Sequence, residues 1–421
     1  MVEEKKIRFK HLELWIIGFV IAVVGAVVAF TYAMVGKDNS PDGVYQIEAT
    51  QKEGLQGYAQ DFEFYYYLDN KDRPMGEKYS ELCEIYSDNL SVLYATTHEE
   101  KTFEGYTSIS ALSKNPNTDI TFDERTYNIL HDAYNKTNNS LNYSVFAEEL
   151  YILWNSISVA GEYAQENYDP LFNEETQNDI DDLVSYINDR NHVDLIFKEN
   201  NVINLKVSEE YKTWIEAYTE EPVYVGLNVL KNHYILDVLA KAVEQKGYNN
   251  GYFFNKDGTI TELSEFGNRI KYQLYTYDEN AEDYRKYLGD INVGTPNVEC
   301  SFSRFNLNKT SYQTYYIIEK DGVRYFRSQY IDIHTGTNNN AYLSSIIFTN
   351  TTSSLEAAFL NNELILCKNA NEVRTYLDNN GKTNTIMLSI FNDGSKNVYV
   401  TENLYNYVSL SSDVDYNLVK F

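Results

Sequence analysis

Residues 225–237 read VGLNVLKNHYILD, and the parsing of this stretch decides the fold. Its first half continues an apolar, β-branched run, so residues 223–230 have strand character. Leu236, Leu239, Ala240 and Val243 then fall on one helical face, and Gly247 supplies the stop. The local plan is therefore strand, loop, helix.

Working outward, Lys320-Asp321-Gly322 sits between residues 314–319 (TYYIIE) and 323–326 (VRYF), a hairpin signal, and Asn392-Asp393-Gly394 joins residues 385–391 to 398–401 in the same way. Ser353 with Glu356 forms a capping box ahead of a helix running to about Leu366, and residues 371–377 suit a short helix. Upstream, residues 61–68 (DFEFYYYL) alternate as a strand should, whereas Leu82, Ile85, Leu90 and Leu93 have helical spacing over 78–93. Thr121 with Glu124 reads as another capping box, opening a helix striped by Phe122, Ile129, Leu130 and Ala133, and a further helix fits 146–158. Helices interleaved with antiparallel strands make the fold class α+β.

The N-terminus sets the location. Residues 14–35 (LWIIGFVIAVVGAVVAFTYAMV) carry no charge, and about 20 apolar residues cross a bilayer core, whereas a signal peptide's apolar region spans about 7–15. Lys5, Lys6, Arg8 and Lys10 precede the run, and basic flanks stay in the cytoplasm. The expected layout is a cytoplasmic segment 1–13, one uncleaved transmembrane helix 14–36, a stalk 37–50 and an extracytoplasmic domain 51–421, with order beginning near Tyr45. The bulk of the chain is expected outside the cell membrane, the N-terminus inside.

A net charge of -27 disfavours nucleic acid or anionic lipid as partners. Cys83, Cys300 and Cys367 are too few and too scattered to define a disulfide framework, and read as small buried residues. The 39 tyrosines read first as compositional bias and second as half-buried strand residues, ahead of a stacking platform. Metalloprotease, P-loop and nucleophile-elbow motifs are all missing, and the six histidines are scattered. The pairs Glu99-Glu100, Glu148-Glu149, Asp181-Asp182 and Glu209-Glu210 read as solvated helix faces.

An ordered series of segments goes further. Residues 106–113 (YTSISALS), 139–145 (NSLNYSV) with Leu153-Trp154, the opening stretch 225–237, then 320–325 (KDGVRY), 330–336 (YIDIHTG) and the helix near 354–366 resemble, in order and spacing, the motifs of the ApbE family, the FAD:protein FMN transferases. The resemblance spans roughly residues 55–405 and implies a T-fold-like architecture, exported and membrane-tethered, handling flavin with Mg²⁺ and acting on exported flavoproteins. Carried over position by position, it implies cofactor-binding roles for Tyr106, Ser144, Tyr234, Asp237 and Asp332, and a rescued metal ligand at Glu356.

The departures from the family pattern are as informative. Asn228, Val229 and His233 stand where the family has glycines, and Lys231 lies one position before its lysine. Ala357 and Asn361 occupy the places of the Mg²⁺-binding aspartate and threonine; Ser108, Asn142 and Gln329 replace a glutamate, an aspartate and a histidine. The expectation is a retained fold with a degraded site: a flavin-binding or accessory pseudoenzyme. Two other readings stay open, an active transferase using Mg²⁺ among Glu356, Asp332 and Asp237, and a surface interaction domain unrelated to flavin.

Overall fold

The computed structural model describes residues 41–421 apart from 257, 267–271, 279, 282–284, 294–297, 304–314, 329, 339–340 and 350–352. The expected transmembrane helix and Gln329 lie outside the described residues, and no described helix is long and apolar enough to cross a membrane. The described architecture is mixed α+β.

Its centre is a nine-stranded sheet in the order Gly43–Ile47, Phe62–Leu68, Gly251–Asn255, Ile260–Glu262, Val298–Ser303, Tyr342–Thr349, Ile386–Phe391, Asn397–Val400 and Asn417–Lys420. Every pairing is antiparallel except the last, where the final strand runs parallel to its neighbour. Residues 43–47, assigned to the stalk from sequence, are instead an edge strand registered against Phe62–Leu68 from Gly43↔Leu68 to Ile47↔Phe64. Polar turn residues at 37–42 had masked how early pairing begins.

Strand periodicity explains why both faces of this sheet are covered. Ile347, Met387 and Phe391 point into the main core, while Ile346, Phe348, Leu388 and Ile390 join a second core. The second core is closed by Tyr272, Leu274, Leu288 and Ile291 from the small sheet of Tyr272–Tyr277, Arg285–Ile291 and Val408–Leu410. On the main-core face the Ser354–Leu364 helix lies against Val298–Ser303 and Tyr342–Thr349, and beside it the Lys231–Glu244 helix packs on Met75–Thr97. Both predicted hairpins form, Tyr315–Lys320 with Val323–Ser328 and Ile386–Phe391 with Asn397–Val400. The tyrosines are largely structural: Tyr86, Tyr143, Tyr211, Tyr224 and Tyr342 are among the largest fully buried side chains, and Tyr65 stacks on Tyr252 with centroids 4.9 Å apart. Cys83 and Cys367 are buried free thiols, as expected.

Two local readings are corrected. The Glu124–Asn139 helix is capped by Asp123, whose carboxylate accepts from the Thr126 N–H at 3.0 Å, because Thr121 already belongs to the short strand Asp119–Thr121. Ser353 does cap Ser354–Leu364 by accepting from the Glu356 N–H, but the Glu356 carboxylate turns away to Lys136 at 2.8 Å, so the box is half formed.

Candidate functional site

The stretch read as a strand at 223–230 is extended coil ending in a single 3-10 turn, Asn228–Leu230, that feeds the Lys231–Glu244 helix. Its N–H groups have found partners other than a neighbouring strand. Val223 donates to Glu149 Oε2 at 3.0 Å, Tyr224 to Ser113 Oγ at 3.1 Å, Gly226 to the Val145 carbonyl at 2.8 Å and Leu227 to Glu99 Oε1 at 3.3 Å. With every buried backbone donor needing a partner, these bonds hold the segment as a loop. At its tip Asn228 has φ 49°, the left-handed conformation a family glycine would take freely and Asn tolerates better than most residues. The Asn228 side chain ties the tip down by donating to the Ser144 carbonyl at 2.6 Å.

This corrects the reading of two acidic pairs as solvated. Glu99 is 5 % exposed and Glu149 3 %. Burial pushes the Glu149 carboxyl up to about 7, against the pull of the Val223 N–H. Glu148 is pushed up to about 8 by burial first and by Glu99 second, with Lys231 and the Asn228 N–H opposing. Lys231 Nζ is paired to Glu99 Oε2, and this pair, not an exposed lysine, is what the loop presents. Room for Glu148 comes from Gly226: a β-carbon there would collide with the Glu148 carboxyl group.

Around these groups is a cleft of about 330 Å³, lined among others by Asp61, Glu99, Glu100, Glu148, Tyr151, Asn228, Lys231, His233, Asn361 and Asn362. Burial lowers His233 to about 4, so its imidazole is neutral at physiological pH. Asn142 and Asn362 clasp each other behind the cleft: Asn142 Nδ2 donates to the Asn362 carbonyl at 3.1 Å, and Asn362 Nδ2 returns a bond to the Asn142 carbonyl.

The six residues singled out by the resemblance do not line this cleft. Tyr106 is a surface residue, 37 % exposed. Ser144 is buried, its hydroxyl accepting from the Phe146 N–H at 3.2 Å and its carbonyl anchoring Asn228. Tyr234 donates to Asp132 at 2.6 Å and faces a separate, open groove of about 770 Å³ with Asp88 and Arg125. Asp237 accepts from Ser353 Oγ at 2.6 Å, from the Ser354 N–H at 2.6 Å and from Ser354 Oγ at 2.9 Å, pinning two helices together. Asp332 Oδ1 accepts from the His334 N–H at 2.9 Å within a turn. Glu356 is an exposed salt-bridge partner of Lys136. Glu99 and Glu148, expected as solvated, line the cleft instead, and Tyr151 and Asn362, not singled out from sequence, join them. For Glu148 a signal was present: residues 150–154 (LYILW) continue apolar around the helix, and a helix apolar on most faces is buried.

No protein-family model and no curated protein sequence matches the chain. Solved structures do match. The chain is similar to the ApbE protein of Thermotoga maritima (TM-score 0.56, 15 % identity, 87 % of this chain against 99 % of that one). It is similar to the flavin transferase ApbE of Vibrio cholerae (0.54, 13 %, 87 % against 100 %) and to the flavinyl transferase ApbE of Pseudomonas stutzeri in its apo form (0.53, 10 %, 88 % against 98 %). The chain has an ApbE-like fold.

Whether the residues present fit the family's ligands can be tested on the donor set. Mg²⁺ wants several oxygen ligands at short range, commonly carboxylates and phosphates. Among the described residues no group of three or more His, Cys, Asp or Glu is arranged to hold a metal, and Asp237, Asp332 and Glu356 are each committed elsewhere. A dinucleotide diphosphate wants cations and N–H donors. The cleft offers four carboxyl groups and one lysine already held by Glu99. Neither group fits.

Proposed function

We propose that this chain is a membrane-anchored, extracytoplasmic accessory protein built on the ApbE scaffold, one that binds without transferring FMN. The observation carrying this reading is the cleft's acidic lining: its lysine, Lys231, is spent on Glu99, Asp61, Glu100 and Glu148 bring three further carboxyl groups, and the positions aligned with the family's metal ligands hold Ala357 and Asn361. Transfer between a phosphate and a hydroxyl requires neutralisation of developing negative charge, which this arrangement opposes. The charge-free run at 14–36 with its basic flank supports the anchor and its orientation, and would hold the domain near an exported protein partner.

Incubating the purified full chain with FAD, Mg²⁺ and an exported flavin-acceptor protein tests the absence of transfer. The expected result is no covalent fluorescent labelling of the acceptor; labelling would overturn the reading in favour of an active transferase. Alkaline carbonate extraction of membranes, followed by protease added from outside, tests the anchor: the chain should stay in the pellet and its large domain should be cleaved.

A further inference from the structure

The cleft leaves polar atoms without partners. Among the described residues, Glu148 Oε2, Tyr151 OH, Asn228 Oδ1, His233 Nδ1 and Asn362 Oδ1 are buried with no hydrogen-bond partner, and all five belong to residues lining the same space. His233 and Asn362 are only 5 % and 1 % exposed, so these are not surface tips waiting for bulk water. Buried orphans are rare in folded proteins, and their concentration at one cavity marks a place where something else supplies the missing bonds.

Their chemistry says what. Glu148 Oε2, Asn228 Oδ1 and Asn362 Oδ1 are acceptors, the two amides being oriented by their own Nδ2 donations to Ser144 and Asn142. Asp61 and Glu100 add negative charge to the same walls, Glu99 being matched by Lys231. An occupant must therefore bring N–H or O–H donors and positive charge. The volume of about 330 Å³ lies at the small end of ligand pockets, too large for a bare ion and small for a dinucleotide.

We infer that this cleft binds a small organic ammonium compound, of the diamine or amino-sugar class, through Glu148 and the acceptor oxygens of Asn228 and Asn362. This rests on the reading that the cleft does not work on FAD. Labelling in the transfer assay would overturn that reading, whereas silence toward amines overturns only the present one.

Isothermal titration of the full chain with putrescine and with glucosamine separates the two sources, with riboflavin, FMN and FAD as comparisons. One amine should bind, and Glu148→Gln should weaken it by about tenfold or more. Binding should also release protons. Glu148 is faced by Glu99, Glu100, Lys231, Tyr143 and Tyr151, and in the free cleft it keeps its proton to about 8. An ammonium beside it at pH 7 expels that proton, so the observed heat should change with the buffer's ionisation enthalpy. Tyr151→Phe removes only an unpartnered hydroxyl and should weaken binding severalfold while leaving the thermal midpoint unchanged or raised. Absence of binding by both amines, identical affinity in Glu148→Gln, or FAD binding tighter than either amine would overturn the assignment.

Discussion

Asp169 and Glu148 are both carboxyl groups taken out of water, and they are treated differently. Asp169 is 0 % exposed and fully served: Arg327 grips it with Nε at 2.8 Å and Nη2 at 2.9 Å, and the Tyr316 hydroxyl adds a third bond at 2.7 Å. The guanidinium is roofed by Trp154, whose own N–H reaches the Gly336 carbonyl at 2.8 Å. Glu148 has one backbone N–H, a nearby lysine shared with Glu99, and an oxygen with no partner among the described residues. The first arrangement fastens the Tyr315–Ser328 hairpin to the helices; the second holds unmet capacity at a cavity wall. Saturation of buried charge thus separates a structural joint from a place to bind.

The contrast breaks most visibly at the joint. Arg327→Ala should cost about 3–5 kcal/mol in urea unfolding, since it strands a buried carboxylate. Loss below about 1 kcal/mol would mean that the joint is no joint.

Glu148→Gln should have the opposite sign. In the unfolded chain Glu148 ionises near its ordinary value, but in the folded chain it keeps its proton to about 8. The folded state therefore binds more protons across the window from about 4.5 to 8, and the wild type loses stability as pH rises through it. The variant, unable to ionise, should gain about 3 kcal/mol at pH 7 and nothing at pH 4. A gain that does not depend on pH would contradict an origin in the raised Glu148 ionisation.

A matched pair sharpens the comparison further. Tyr316→Phe removes a hydroxyl bonded to a carboxylate and should cost about 1.5 kcal/mol, while Tyr151→Phe removes an orphan and should cost about nothing, both read from chemical denaturation midpoints. A comparably small effect belongs to Glu356→Ala: an exposed pair with Lys136 predicts a change within about 0.5 kcal/mol, and an unaltered thermal response to added Mg²⁺.

Much of the fold was legible because its signals are local. The Asp-Gly turns at 321–322 and 393–394 delivered both hairpins, and the apolar spacing within 75–97, 124–139 and 354–364 delivered those helices. The parallel return of Asn417–Lys420 beside Asn397–Val400 was not legible, being a long-range pairing with no turn to announce it. The 223–230 segment was misread for a related reason: its apolar content suits a strand, but Glu149, Ser113 and Glu99 claim the amide groups that a strand would offer a neighbour. The site was less legible still. Tyr234, Asp237 and Asp332 have the right residue types but spend them on Asp132, on Ser353 and Ser354, and on a turn. Glu99 and Glu148 looked solvated because a doublet of acids carries no mark of which member points inward.

Gly226 has an evolutionary consequence. The Glu148 carboxyl group, arriving from a different helix, occupies the volume a side chain at 226 would need. The two positions are therefore epistatic. While Glu148 holds this conformation, a side chain at 226 would displace its carboxyl group, and losing Glu148 would leave Asp61 and Glu100 as the unmatched acids of the cleft. A small residue at 226 and an acid at 148 are therefore expected to travel together through descent.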